Sequence, residues 1–86
     1  MTQEKFTELM NIDLGDSEEF ENSRIFKGLE IIRKYIPDAD IEAAEHDIIY
    51  CCGIEDIVNA GITENDVKTL NAYGWHISED ALAHFA

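Results

Sequence analysis

The sequence predicts an α+β fold, with helices packed on a small antiparallel sheet, and three stretches carry that prediction. Apolar residues at helical spacing run from Ile25 to Ile36 and stop at Pro37. The run HDIIYCC, residues 46–52, is rich in β-branched and aromatic residues and has the composition of a strand. Two short segments then each close on a glycine followed by a large apolar residue, Gly61-Ile62 and Gly74-Trp75, and leave a tail that can give the strand its partners. An all-helical bundle is the alternative, and it follows if that tail is a helix.

In chain order, Phe6, Leu9 and Met10 share one face of a first helix that spans Thr2 to Met10, and NIDLGD has the Asn, Asp and Gly of a connection. Ser17 with Glu18 and Glu19 reads as an N-cap with acids in the first turn, opening a second helix that runs to Ile36. Its apolar stripe is Ile25, Leu29, Ile32 and Ile36. Gly28 borders that stripe and costs helix propensity, roughly 1 kcal/mol against alanine, which implies close approach by another element. Lys27, Glu30 and Lys34 on the wet side are spaced for ion pairs within the helix.

In the strand, alternation puts His46, Ile48, Tyr50 and Cys52 on one face and Asp47, Ile49 and Cys51 on the other. Neither face is polar throughout, so the strand belongs inside the sheet. Two helices joined at Gly61 follow, with Thr63 capping the second and Asp66 at its capping-box position. For the tail we expect a hairpin with a three-residue Glu79-Asp80-Ala81 loop. That register places Trp75 and Ile77 on the face of Ala83 and Phe85, with His76 across from His84. A helix capped by Ser78 is the other reading of these residues.

The charge bounds the function. Nineteen acids against six bases give a net charge of −13, unevenly spread: residues 1–22 carry −6, residues 23–37 carry +3 and residues 38–86 carry −10. Direct nucleic-acid or anionic-membrane binding is disfavoured by that field. No run approaches the roughly 18 apolar residues of a membrane span, and the N-terminus lacks a signal-peptide layout, so a cytoplasmic location is expected. Adjacent cysteines whose side chains diverge do not suit a disulfide, which fits a reducing compartment.

Three chemical readings fail on spacing. His46, Cys51, Cys52, His76 and His84 could in principle ligate zinc, yet there is no C-x-x-C pair. Asp38, Asp40 and Glu42 begin like a calcium loop, but Ala43 stands where glycine is required and Ile49 where glutamate is. His46 and Cys52 lie about 20 Å apart along an extended strand, too far for a nucleophile and its base, and no phosphate loop or nucleophile elbow is present. We therefore expect no catalytic residues, no metal and no cofactor.

Helix starts account for Glu18, Glu19, Glu55, Asp56, Glu64 and Asp66. They leave Asp38, Asp40, Glu42, Glu45 and Asp47, five acids in ten residues with no base among them. On an extended segment such carboxylates repeat about every 6.5 to 7 Å, close to the phosphate spacing of a nucleic-acid strand. These five are the candidate partner-binding residues, and the partner they suit is a basic, nucleic-acid-binding protein.

The stretch from EHDIIYCC to the final alanine resembles the C-terminal part of small acidic proteins of phages and other mobile elements. There, a His-Asp-Ile strand precedes a helix, a T-x-x-D helix start and a Gly-Trp step into the last strand. The resemblance covers about half the chain and implies a phage-like setting, with no chemistry attached. Together with the acidic segment, that setting leads us to expect an inhibitor or adaptor aimed at a host defence or regulatory protein, by analogy with anti-CRISPR and antirestriction proteins. The piece AGITENDVKTLNAYGWHISEDALAHFA is also similar to the helical N-terminal domain of strand-exchange recombinases, without the lysine-rich continuation, and that likeness implies a helical tail. A phage accessory domain that self-associates through apolar surface is the alternative function, and a small metal-binding protein a third.

Overall fold

The computed structural model describes residues 1–13, 21–45 and 47–85. Helix α1 (Gln3–Met10) starts where expected, with the Thr2 hydroxyl accepting the Lys5 amide at 3.1 Å, and it buries Phe6, Leu9 and Met10. Helix α2 (Glu21–Tyr35) buries Leu29 and Ile32 and half-buries Ile25, and Ile36, just past its end, is half-buried too. Proline has no amide to donate and its ring clashes with the preceding turn, so the helix stops ahead of Pro37. The expected cap at Ser17 with Glu18 and Glu19, and His46, lie outside the described residues.

Strands β1 (Ala43–Glu45), β2 (Ile48–Gly53), β3 (His76–Ser78) and β4 (Ala81–Phe85) form one antiparallel sheet in the order β1-β2-β4-β3. Helices α3 (Ile54–Asn59) and α4 (Glu64–Ala72) connect the inner pair, and α1 packs on both of them while α2 packs on α4. The fold is therefore α+β, and the β-branched and aromatic run supplies an inner strand that begins at Ile48, with Asp47 in the turn ahead of it. Leu82, Ala83 and His84 are consecutive and all buried, so β4 is covered on both faces.

Two registers depart from the expected ones. Along β2, Tyr50 faces Ala83 while Gly53 faces Ala81, so Cys51 and Cys52 together stand opposite Leu82 alone. This bulge ends the simple alternation, and the two cysteines, expected on opposite faces, are both buried. In the tail hairpin the loop has two residues. Glu79 and Asp80 take φ of 51° and 61°, and positive φ at both positions is the signature of a type I′ turn, whose twist matches that of the strands. His76 consequently pairs with Ala83 and Ile77 with Leu82, while the Trp75 ring meets His84 edge-on at 5.4 Å. A one-residue change of register reverses every facing, which is why the expected His76–His84 pair does not form. The Asp80 carbonyl accepts the Ile54 amide at 3.0 Å and ties this turn to the start of α3.

The glycines at the helix ends do what their spacing suggests. Gly61 and Gly74 have φ of 91° and 87°. At the end of α4 the Gly74 amide bonds the Asn71 carbonyl at 2.9 Å and the Trp75 amide bonds the Leu70 carbonyl at 3.0 Å, the paired bonds of a Schellman closure. That closure turns the Trp75 indole onto α2. Its Nε1–H donates to the Arg24 carbonyl at 3.3 Å, and a Cβ at Gly28 would lie 1.9 Å from Nε1. The close approach implied by Gly28 is this one.

Gly28→Ala should therefore lower stability by about 1–3 kcal/mol, because overpacking and loss of the indole hydrogen bond exceed the propensity gained. Gly74→Ala, strained in φ and 3.2 Å from His84 Nε2, should cost at least as much as Gly61→Ala, where a Cβ meets nothing within 4 Å and strain of about 1 kcal/mol acts alone. Urea denaturation of the three variants checks the ranking, and a Gly28→Ala protein as stable as the parent would refute the packing argument.

Candidate functional site

The acids singled out in the sequence sit at one border of the sheet. After α2 the chain turns at Pro37 and Asp38, closed by the Ala39 amide on the Ile36 carbonyl at 2.9 Å, and Ala39 is buried beneath. Asp40 accepts its neighbour's amide, Ile41 N–H, at 2.8 Å, and the Glu42 amide bonds the Tyr50 carbonyl at 2.9 Å, feeding the chain into edge strand β1. Asp38, Asp40, Glu42 and Asp47 are all exposed, as are Ala43 and Ala44 of β1. The Glu45 side chain lies outside the described residues.

Two details differ from the sequence reading. Asp38 and Asp47 both stand in turns, so the regular spacing expected of an extended chain does not reach back to the first or forward to the last of the five acids. The segment also has a base beside it in space, since Arg33 Nε donates to the Ala39 carbonyl at 2.6 Å and its Nη2 is 3.9 Å from Asp40. Both side chains of that pair are largely solvated, 48% and 72% exposed, so it neutralises little of the local field.

No protein-family model, curated protein or solved structure matches this chain. The acidic edge is thus judged on its own chemistry, beside two other polar clusters.

One of these joins α2 to α4. Lys34, expected to pair within its own helix, reaches Asp66 at 2.9 Å, and the Tyr35 hydroxyl donates to the same carboxylate. Thr63 caps α4 by accepting the Asp66 amide at 3.2 Å, as the capping pattern requires. The Tyr35 hydroxyl, and after it Lys34, holds the Asp66 carboxyl below the usual aspartate range. Spacing along one helix cannot reveal a clamp between elements, and only the capping role of Asp66 was visible. The arrangement fastens α2 to α4.

The other cluster contains the histidines and cysteines. His84 is buried with Nε2 2.8 Å from the Tyr73 carbonyl and Nδ1 2.7 Å from the Phe85 carbonyl. His76 stacks on Phe85 at 4.6 Å, its Nδ1 is buried without a hydrogen-bond partner, and burial pushes the ring below the usual histidine range. Cys51 and Cys52 are free and buried. Among the described residues no three His, Cys, Asp or Glu side chains converge as a metal site would need, and no helix is long and apolar enough to cross a membrane. The depressions are shallow: about 280 Å³ by Lys27, Glu30, Ile31, Lys34 and Tyr73, about 290 Å³ by Ser23, Phe26, Lys27 and Glu30, and about 650 Å³ along α4 by Asn65, Lys68, Thr69, Ala72 and Tyr73.

The clamp has a pH signature. A carboxyl whose folded pKa is depressed stabilises the fold above its unfolded value, and that contribution disappears as pH falls through the folded pKa. Asp66→Asn should therefore be less stable than the parent at pH 7, and the gap should shrink below the ordinary aspartate value of 3.8. Urea melts from pH 7 to 3 measure it, and a gap independent of pH would show that Asp66 acts through packing alone.

Proposed function

We propose that this chain is a small acidic inhibitor or adaptor of phage or mobile-element type. It acts in the cytoplasm, without catalysis or cofactor, by presenting carboxylates to the basic, nucleic-acid-binding surface of a host defence or regulatory protein. The observation that supports the reading is the exposure of Asp38, Asp40, Glu42 and Asp47 along the β1 border, with Arg33 the cation drawn toward them. Like charges held this close repel one another and destabilise the fold, while a basic partner turns the same repulsion into attraction. An edge position also leaves the segment open to a groove shaped for a nucleic-acid strand.

A second reading has an observation of its own. Phe26 is 71% exposed on α2 and Phe85 is 57% exposed at the end of β4, and apolar surface of this sort supports self-association. Salt separates the two, because contact through carboxylates weakens steeply with ionic strength and apolar association does not.

Neutralising the segment as Asp38→Asn, Asp40→Asn and Glu42→Gln should leave the melting temperature unchanged or higher. Affinity for a partner recovered by pull-down should fall by about tenfold or more at low salt, with a flatter salt dependence. DNA or RNA that the partner binds should compete with the parent protein. Unchanged affinity and salt response in the triple variant would move the contact surface elsewhere and favour the apolar reading.

A further inference from the structure

The two faces of the sheet are unlike. His84 of β4 points to the helices, with Nε2 2.8 Å from the carbonyl of Tyr73 at the end of α4. Side chains alternate along a strand, so Ala83 and Phe85 belong to the opposite face. Register brings Tyr50 and His76 to either side of Ala83, and Ile48 beside Phe85. Neighbours that size close over the alanine, which is fully buried, whereas Phe85 stands 57% exposed. The His76 ring stacks on the Phe85 ring, with centroids 4.6 Å apart and planes 23° from parallel.

His76 thus backs one side of the Phe85 ring, and the exposure belongs to the other. This end of the strand also meets the acidic border. Ile48, the partner of Phe85 across the sheet, directly follows Asp47, which is exposed in the turn after β1. The face of an aromatic ring is electron-rich and a carboxylate beside it carries full negative charge, so both favour a cation and repel an anion. An ammonium is compact and strongly hydrated. A guanidinium is planar and weakly hydrated, stacks on a ring and turns its N–H groups to a carboxylate.

We propose that Phe85, backed by His76 and flanked by Asp47, receives an arginine side chain of the partner. The proposal rests on the reading of the β1 border as a contact for a basic surface, and deepens it. Carboxylates attract any cation, while the ring selects arginine, the residue on which nucleic-acid-binding surfaces most rely.

Nona-arginine and nona-lysine carry equal charge and isolate that selection. In calorimetric titrations at about 150 mM salt the parent should bind nona-arginine about threefold or more tightly than nona-lysine, the size expected of a cation over an exposed ring. Phe85→Leu keeps an apolar side chain and should lose most of that preference, and Phe85→Tyr, which keeps the ring, should retain it. The Asp38→Asn, Asp40→Asn, Glu42→Gln variant should weaken both peptides alike and leave their ratio unchanged. If that variant binds both as the parent does with the ratio intact, the arginine site stands and the carboxylate reading of those three residues fails. Equal affinities in the parent, no binding of either peptide, or a preference undiminished in Phe85→Leu overturns the proposal. So does a parent that sediments as a dimer and becomes monomeric as Phe85→Ser, a result that gives the ring to a second copy of the chain.

Discussion

Much of this structure depends on the bare backbone at Gly28, because the Trp75 indole occupies the space where any other residue would have a Cβ. Trp75 is 2% exposed and is aimed by the Schellman closure of α4, so a positive φ at Gly74 and a missing side chain on α2 act on the same ring. The indole in turn lies edge-on to His84, at 5.4 Å, and so couples α2 to the inner strand β4. In a core of this size few other groups span three elements, and the indole N–H finds its acceptor in a helix carbonyl that the glycine leaves approachable.

What could be read from the sequence was what local chemistry dictates. Thr63 caps its helix, Gly61 and Gly74 close theirs, and the apolar stripe of α2 faces inward, since each depends on residues within a turn or two. The tail hairpin was legible as a hairpin but not in its loop length, because Glu79 and Asp80 carry none of the Asn-Gly or Gly signal that marks a type I′ turn. Their positive φ is imposed from outside, by burial of Leu82 and by the Ile54 amide on the Asp80 carbonyl. The β2 bulge was hidden for a similar reason, as nothing in IIYCCG marks where one residue too many must be absorbed.

The candidate acids were legible by count alone, and the structure adds their place. The turn at Asp38 takes it out of the extended run, and Arg33 enters from a helix five residues upstream of that turn, a neighbour that charge totals by segment had assigned to a separate basic patch. The acidic border is also tied directly to the inner strand, since the Glu42 amide bonds the carbonyl of Tyr50, the residue before Cys51.

The order of the strands sets how the molecule can assemble. Strands β2 and β4 are neighbours in the sheet yet are separated in the chain by both α3 and α4, so their pairing must wait for a long loop to close. Loop closure is slow when the intervening chain is loose and fast when it is already folded. The two short helices, each with its own cap and stop, can form early and act as a rigid spacer that delivers β4 beside β2. Nucleation would then begin in the middle of the chain, with β3 arriving alongside β4 as the other half of their tight hairpin and β1 closing the far edge against β2.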